Sequence, residues 1–182
     1  QRLGERLPLE AAFRDETGRE VRLGDYFGDK PVLLALVYYH CPMLCTMVLN
    51  GLTATLRTLT YDVGREFDVV TVSFNPKDAF PLAARKKANY VASYGRAGAA
   101  EGWHFLTGDE TQIRRLTNAA GFHYSYDEKT GQYAHASGVI VVTPDGRLSR
   151  YLYGIDYPSR DLKLAVVEAG EGKIGSVVDR AL

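Results

Sequence analysis

A chain of 182 residues is the size of one ordinary domain, large enough to bury roughly 70% of its unfolded surface without disulfide staples. Its 22 Lys and Arg balance 22 Asp and Glu with no block of like charge, so no nucleic-acid partner and no acidic partner is announced. A hydrophobic fraction of 46% with 24% charged residues excludes a disordered chain. The longest apolar run, residues 32–39, is far short of the roughly 20 that span a bilayer, so the chain as given is expected to be soluble.

Residues 13–23 place two short segments about Thr17-Gly18, which reads as a small hairpin ahead of the main fold. Lys30-Pro31 leads into Val32-Leu33-Leu34-Ala35-Leu36-Val37-Tyr38, a continuous apolar run suited to a strand buried on both faces. From Leu44 the apolar residues recur at Met47, Val48, Leu52, Leu56 and Leu59, the helical period, and Met47 is expected to pack in the core. Residues 67–74 read as a second buried strand, and residues 78–94 as a helix stopped by Gly95. After a loop over 95–102 come a short strand at 103–106 and a helix at 109–120, which opens with Asp109 and Gln112 at capping-box spacing. Residues 139–142 and 148–152 flank Thr143-Pro144-Asp145-Gly146-Arg147, a hairpin signal, and 158–169 is the last helix. No repeat, linker or composition break divides the chain. Residues 1–182 are therefore expected to form a single α/β domain in three layers, helices on both faces of a mixed sheet, with an N-terminal hairpin and an inserted strand-helix unit. Residues 1–12 and 171–182 carry no strong pattern and are expected to be flexible or irregular.

Cys41 and Cys45 are the whole thiol inventory, and they sit where the first buried strand passes into a helix. Cysteines at i and i+4 place their Cα atoms about 6 Å apart, within disulfide range and equally able to aim two sulfurs at one ion. A loop this short constrains little chain entropy, so the pair reads as chemistry rather than as a staple. The unpaired N–H groups and positive dipole end of a helix N-terminus favour thiolate over thiol. Two thiolates leave a soft metal ion one ligand short of a trigonal site. His40 reads as a turn residue pointing away from Cys41, and His104 and His123 read as polar packing beside Trp103 and Phe122. Met43, between the cysteines, stays open. So does His135, in Tyr133-Ala134-His135-Ala136-Ser137-Gly138, which would face the cysteine junction if the following hairpin pairs beside the central strand.

Tyr39-His40-Cys41-Pro42-Met43-Leu44-Cys45, followed by Ser73-Phe74-Asn75-Pro76-Lys77-Asp78, Trp103-His104-Phe105-Leu106-Thr107-Gly108 and Tyr133-Ala134-His135, resembles the Sco/SenC family over about residues 13–169. That resemblance implies a thioredoxin-like fold. It also implies copper, as Cu(I) and Cu(II), held by the thiolates of Cys41 and Cys45 and the imidazole of His135. The implied function is a metallochaperone that delivers copper to cytochrome c oxidase or matures its binuclear copper centre. Its partners would be the copper-bearing subunit of the oxidase and other copper or thiol-redox proteins. The alternative is a thiol-disulfide oxidoreductase that keeps the oxidase's copper-ligand cysteines reduced, with Cys41 and Cys45 as its catalytic pair; it has no need of His135. Family members are usually tethered by an N-terminal membrane helix, so a chain that opens on Gln1 implies a periplasmic protein anchored to the inner membrane by a segment ahead of it. The sequence departs from many members at Thr46, where they have Pro, and at Met43 and Asn75, where they have Asp. These departures bear on partner recognition and redox behaviour and leave the three implied ligands intact. A thiol peroxidase on a related fold would want a lone activated cysteine with a Thr or Arg partner, which the flanking residues do not offer.

Overall fold

The computed structural model describes residues 1–41 and 44–175, with the backbone alone at Leu44 and Cys45. The Thr17-Gly18 turn closes the expected hairpin of β1 (Ala12–Arg14) and β2 (Glu20–Arg22). Asp15 ties that turn, its Oδ1 accepting from the Thr17 N–H, the Thr17 hydroxyl and the Arg19 N–H. The strand β3 (Val32–Val37) leads to α1 (Leu44–Leu56), and β4 (Asp68–Ser73) leads to α2 (Phe80–Tyr94). A helical turn, α3 (Ala99–Gly102), precedes β5 (Trp103–Leu106), which is followed by α4 (Glu110–Ala119). Then come β6 (Tyr124–Asp127), β7 (Gln132–His135), β8 (Gly138–Val142), β9 (Leu148–Tyr153) and α5 (Ser159–Gly170).

Among the described residues the central sheet has the order β5-β4-β3-β8-β9. It is mixed: β3, β4 and β5 run parallel, whereas β8 is antiparallel to β3 and β9 to β8. Every position of β3 and β4 is buried, so both faces of the sheet's centre are covered, as their unbroken apolar runs require. The pairing of β8 beside β3 carries the chain that follows residue 135 to the strand that delivers Cys41.

Several elements differ from expectation. The second helix starts at Phe80 rather than residue 78, because Ala79 is extended (φ −115°, ψ 163°) with Pro81 in the first turn, and Asp78 is turned inward. Its other end is as expected, with Gly95 in the left-handed region at φ 74°. The turn α3 lies inside the expected loop over 95–102, seated by the buried Ala99. Met47 is not core: it is 40% exposed, because the buried face of α1 is Val48, Leu49, Leu52, Thr53 and Leu56 and Met47 falls on the far side. Only half of the expected capping box at α4 forms. Asp109 accepts from the Gln112 N–H at 2.9 Å, but the Gln112 side chain turns away to accept from the Ala12 N–H at 3.3 Å, tying the N-terminal hairpin to α4. The hairpin β6–β7, antiparallel with Tyr124 opposite His135, was not expected at all.

The segment before β1 is irregular yet anchored. Gly4 N–H donates to Leu148 O at 2.8 Å, Leu148 N–H to Glu5 O at 2.9 Å, and Leu7 N–H to Gly146 O at 2.8 Å. After α5, Ser149 Oγ donates to Lys173 O at 2.6 Å and Gly175 N–H to Ser149 O at 2.7 Å; residues 176–182 lie outside the described residues. No helix among the described residues is long and apolar enough to cross a membrane.

At the end of the sheet away from Cys41, Asp68 opens β4 between Lys30 Nζ at 3.1 Å and His104 Nε2 at 3.0 Å. Burial alone would raise its carboxyl; the bonds and charges of His104 and Lys30 outweigh that and hold it below the ordinary 3.8. A carboxylate depressed in the folded state stabilises above its unfolded pKa and loses that contribution as pH falls through the folded value. We therefore expect the stability of Asp68→Asn to converge on wild type as the pH is taken below 3.8, with the largest gap near neutrality. Urea melts across that range check it; a gap independent of pH would contradict it.

Candidate metal centre

The turn that follows β3 is built from buried aromatics. The hydroxyl of the buried Tyr39 lies 2.9 Å from Leu106 O and 3.1 Å from Thr71 O and donates to these carbonyls of β5 and β4, which fixes the chain across the sheet end. Burial pushes its phenol well above 10. Cys41 N–H closes the turn on Tyr38 O at 3.2 Å, and Cys41 is 8% exposed. The backbone of Cys45 lies in the first turn of α1, where unpaired N–H groups favour a thiolate. Its side chain lies outside the described residues, as do Pro42 and Met43, and with them the expected sulfur pairing and the option of Met43 as third donor.

Under this turn sits the carboxylate of Asp78, just ahead of α2. The side chain of Asp78 is fully buried. Its Oδ2 accepts from the Tyr39 N–H and from Ser73 Oγ, both at 2.7 Å, and its Oδ1 meets His40 Nδ1 at 2.8 Å. Three donors on two oxygens satisfy this buried carboxylate. They also latch the start of α2 to the turn that holds Cys41. The Asn-Pro-x-Asp run was the available signal, since an Asp two residues ahead of a Pro-containing first turn can serve a neighbouring loop as readily as its own helix.

His135 closes β7. Its ring lies edge-on to Tyr38 (6.0 Å between centroids) and Phe74 (5.2 Å) and tilted to Phe122 (6.0 Å). Nδ1 lies 2.7 Å from Ala136 O. A carbonyl only accepts, so Nδ1 carries the proton. Burial lowers the imidazole below 6.5, with the Ala136 bond opposing in smaller measure, so the ring is neutral near pH 7, the form that binds metal. The structure brings His135 and the Cys41 turn to a common neighbour, Tyr38, whose carbonyl receives the Cys41 N–H and whose ring touches His135. The hairpin β6–β7 makes this possible, with Tyr133 packed edge-on against both Tyr38 (5.1 Å) and Phe74 (5.3 Å). Asn75 Oδ1 accepts from the Lys77 N–H at 3.0 Å and from the Tyr133 hydroxyl at 3.4 Å, so Asn75 ties that hairpin to the loop after β4.

The other histidines lie apart from His135. His104 lies tilted against Tyr26, with 4.2 Å between ring centroids, and bonds Asp68 at the far end of the sheet. His123 lines a separate cavity of about 240 Å³ with Phe122, Ile140 and Tyr151. His40 is exposed above Asp78.

The family model SCO1/SenC matches residues 5–166. The chain belongs to the SCO1/SenC family. Among solved structures, a protein from Aquifex aeolicus VF5 is 26% identical over 94% of this chain and 95% of its own, with a TM-score of 0.80. Arabidopsis thaliana ScoI, solved with copper bound, is 19% identical over 93% of this chain and 98% of its own (TM-score 0.69). BsSco, a Sco-family cytochrome c oxidase assembly protein in which a disulfide switch was identified, is 20% identical over 93% and 98% (TM-score 0.67). No curated sequence is significantly similar to the chain. The α/β architecture with its mixed central sheet is thus the thioredoxin-like fold of this SCO1/SenC family, as the sequence motifs implied.

Proposed function

We propose that this SCO1/SenC chain is a copper-binding metallochaperone that delivers copper to cytochrome c oxidase or matures its binuclear copper centre, with Cys41, Cys45 and His135 as the ligands. The donor set fits the ion. Thiolates suit Cu(I), and a neutral imidazole makes the same site hospitable to Cu(II). The observation that carries the reading is the presentation of His135, its Nδ1 tied to Ala136 O and its ring packed on the residue whose carbonyl holds the Cys41 turn. A dithiol reductase would have no use for that imidazole. Copper bound to Arabidopsis ScoI and the assembly role of the family to which BsSco belongs support the same assignment. The proposed setting is the periplasm, with a membrane anchor ahead of Gln1.

The second reading, a thiol-disulfide oxidoreductase acting on the oxidase's copper-ligand cysteines, is favoured by the position of Cys41 and Cys45 at a helix start and by the disulfide switch of BsSco. His135→Ala separates the two. Under the chaperone reading, Cu(II) affinity falls by at least about tenfold, the lower bound for losing even an outer-shell partner, while Cu(I) affinity changes far less. Competition titrations of reduced protein with each ion measure this. Wild-type Cu(II) affinity and an unchanged thiolate-to-copper absorption band in the variant would favour the reductase.

A further inference from the structure

A second imidazole, that of His40, has its Nδ1 tied to an acceptor, as that of His135 has. Among the described residues the His40 side chain makes one hydrogen bond, through Nδ1 to Asp78 Oδ1 at 2.8 Å, and it is 71% exposed whereas the Asp78 side chain is fully buried. The other carboxylate oxygen is taken by the Tyr39 N–H and by Ser73 Oγ, and Ser73 Oγ is itself committed, because it accepts from the Asn75 N–H at 3.2 Å and so donates to Asp78. Every hydrogen bond at Asp78 therefore runs into the carboxylate, which can only accept. Nδ1 of His40 must carry a proton, and in the neutral ring Nε2 is a bare lone pair. A carboxylate that takes the proton of one ring nitrogen while the other faces outward is the arrangement that accompanies metal-ligating histidines, fixing the tautomer and raising the donor strength of the free nitrogen. An exposed histidine with no such requirement could take any solvent partner; this one is held by a buried carboxylate one residue before Cys41.

The ring also borders a groove whose charged lining is Lys77, Arg114 and Glu110. His40 lines this groove, of about 440 Å³, with Tyr38, Asn75 and Tyr133, and Tyr38 and Tyr133 in turn border the aromatic wall around His135. Tyr38 is thus shared by the groove, the Cys41 turn and the wall around His135.

We propose that His40 Nε2 is a first-contact ligand for copper, which captures the ion at the surface of the groove before the thiolates and His135 hold it, and that Asp78 is the positioning residue that takes the Nδ1–H bond and so leaves Nε2 as the outward nitrogen. This rests on the reading of Cys41, Cys45 and His135 as the copper site, and adds to it a transient fourth donor. No covalent or redox step is involved; the ion is passed between lone pairs.

The test is stopped-flow uptake of limiting Cu(II) by reduced full-length protein, followed at the thiolate-to-copper band, in wild type, His40→Asn and Asp78→Asn. Asparagine at 40 can still donate to Asp78 and keep the turn latched, but has no imidazole nitrogen. Asparagine at 78 can accept from Tyr39 and Ser73 through Oδ1, and then presents an N–H₂ to His40 Nδ1, which moves the ring proton to Nε2. Both variants are expected to take up Cu(II) about tenfold more slowly, within the range that loss of a metal-site partner costs, and to finish with the wild-type spectrum and stoichiometry. Long-range ¹H–¹⁵N correlation of the metal-free protein should show His40 protonated on Nδ1 in wild type and on Nε2 in Asp78→Asn, a readout that needs no copper. Wild-type uptake rates in His40→Asn, or a wild-type His40 protonated on Nε2, would overturn the inference while leaving the copper site standing. Should wild-type protein fail to bind Cu(II), the functional reading falls first and this inference with it. If Asp78→Asn does not fold, His40→Asn and the wild-type tautomer decide.

Discussion

Cys41→Ser is expected to abolish tight copper binding while leaving the fold intact. The substitution exchanges sulfur for oxygen at a position only 8% exposed, whose backbone N–H is already committed to Tyr38 O, so neither turn geometry nor core packing needs to change. What changes is the donor. A soft ion left with one thiolate and one imidazole loses the ligand it prefers, and a lost ligand must cost more than the 10- to 100-fold typical of outer-shell partners. A fall in Cu(I) affinity of at least about 100-fold is the expected result. Competition against a chelator of known affinity measures it, with circular dichroism confirming the fold. Cys45→Ser should behave alike. Unchanged affinity in either variant would remove the thiolate pair from the site.

Gly51→Ala should have the largest effect on stability, with the opposite sign to that expected from helix propensity. In an exposed helix interior alanine is better than glycine by about 1 kcal/mol. Here an added Cβ would lie 1.7 Å from Ile155 O and 3.0 Å from Ile155 C, both backbone atoms that no side-chain rotation can clear. The segment between β9 and α5 lies directly on α1 at this point. The same contact is secured one turn on by Thr55 Oγ, which donates to Tyr157 O at 2.6 Å. Displacing that segment would strain or break this bond and disturb the buried Tyr157. We expect a loss of about 2–3 kcal/mol, the range of an overpacked core, and a Tm lower by roughly 5–10 °C for a chain of this size. A thermal melt at or above the wild-type midpoint would show that the segment moves freely.

What could be read from the sequence followed from how each element is buried. The strands β3 and β4 were legible because both faces are covered and the runs have no polar interruption, and the end of α2 because Gly95 takes a left-handed conformation. The hairpin β6–β7 is not legible because its positions are exposed or half-buried, which leaves only Tyr124-x-Tyr126 before the Gly131 turn and Tyr133-x-His135 after it. That matters, since the hairpin carries His135 to Tyr38. Met47 is misplaced by the pattern because it precedes Val48 directly and joins the apolar stripe in sequence, whereas the buried arc runs through Val48, Leu49, Leu52 and Leu56 and leaves Met47 on the opposite side. The role of Asp78 is not legible because a helix start and a buried latch both suit an aspartate, and only the three-dimensional positions of Tyr39, Ser73 and His40 distinguish them. Cys41 and Cys45 stand out by spacing alone; the packing of His135 on Tyr38 does not, because the two are remote from each other in sequence.

The most direct test of the copper site compares two preparations of the same chain: one with both thiols reduced, the other with both alkylated. Each is dialysed to equilibrium against Cu(I) held by a competing chelator, and copper and free thiols are counted together. The site described here predicts one copper per reduced chain, with both thiols protected from alkylation once the ion is bound, and no tight copper on the alkylated chain. Copper retained at full stoichiometry by the alkylated protein, or reduced protein that binds none, would contradict it.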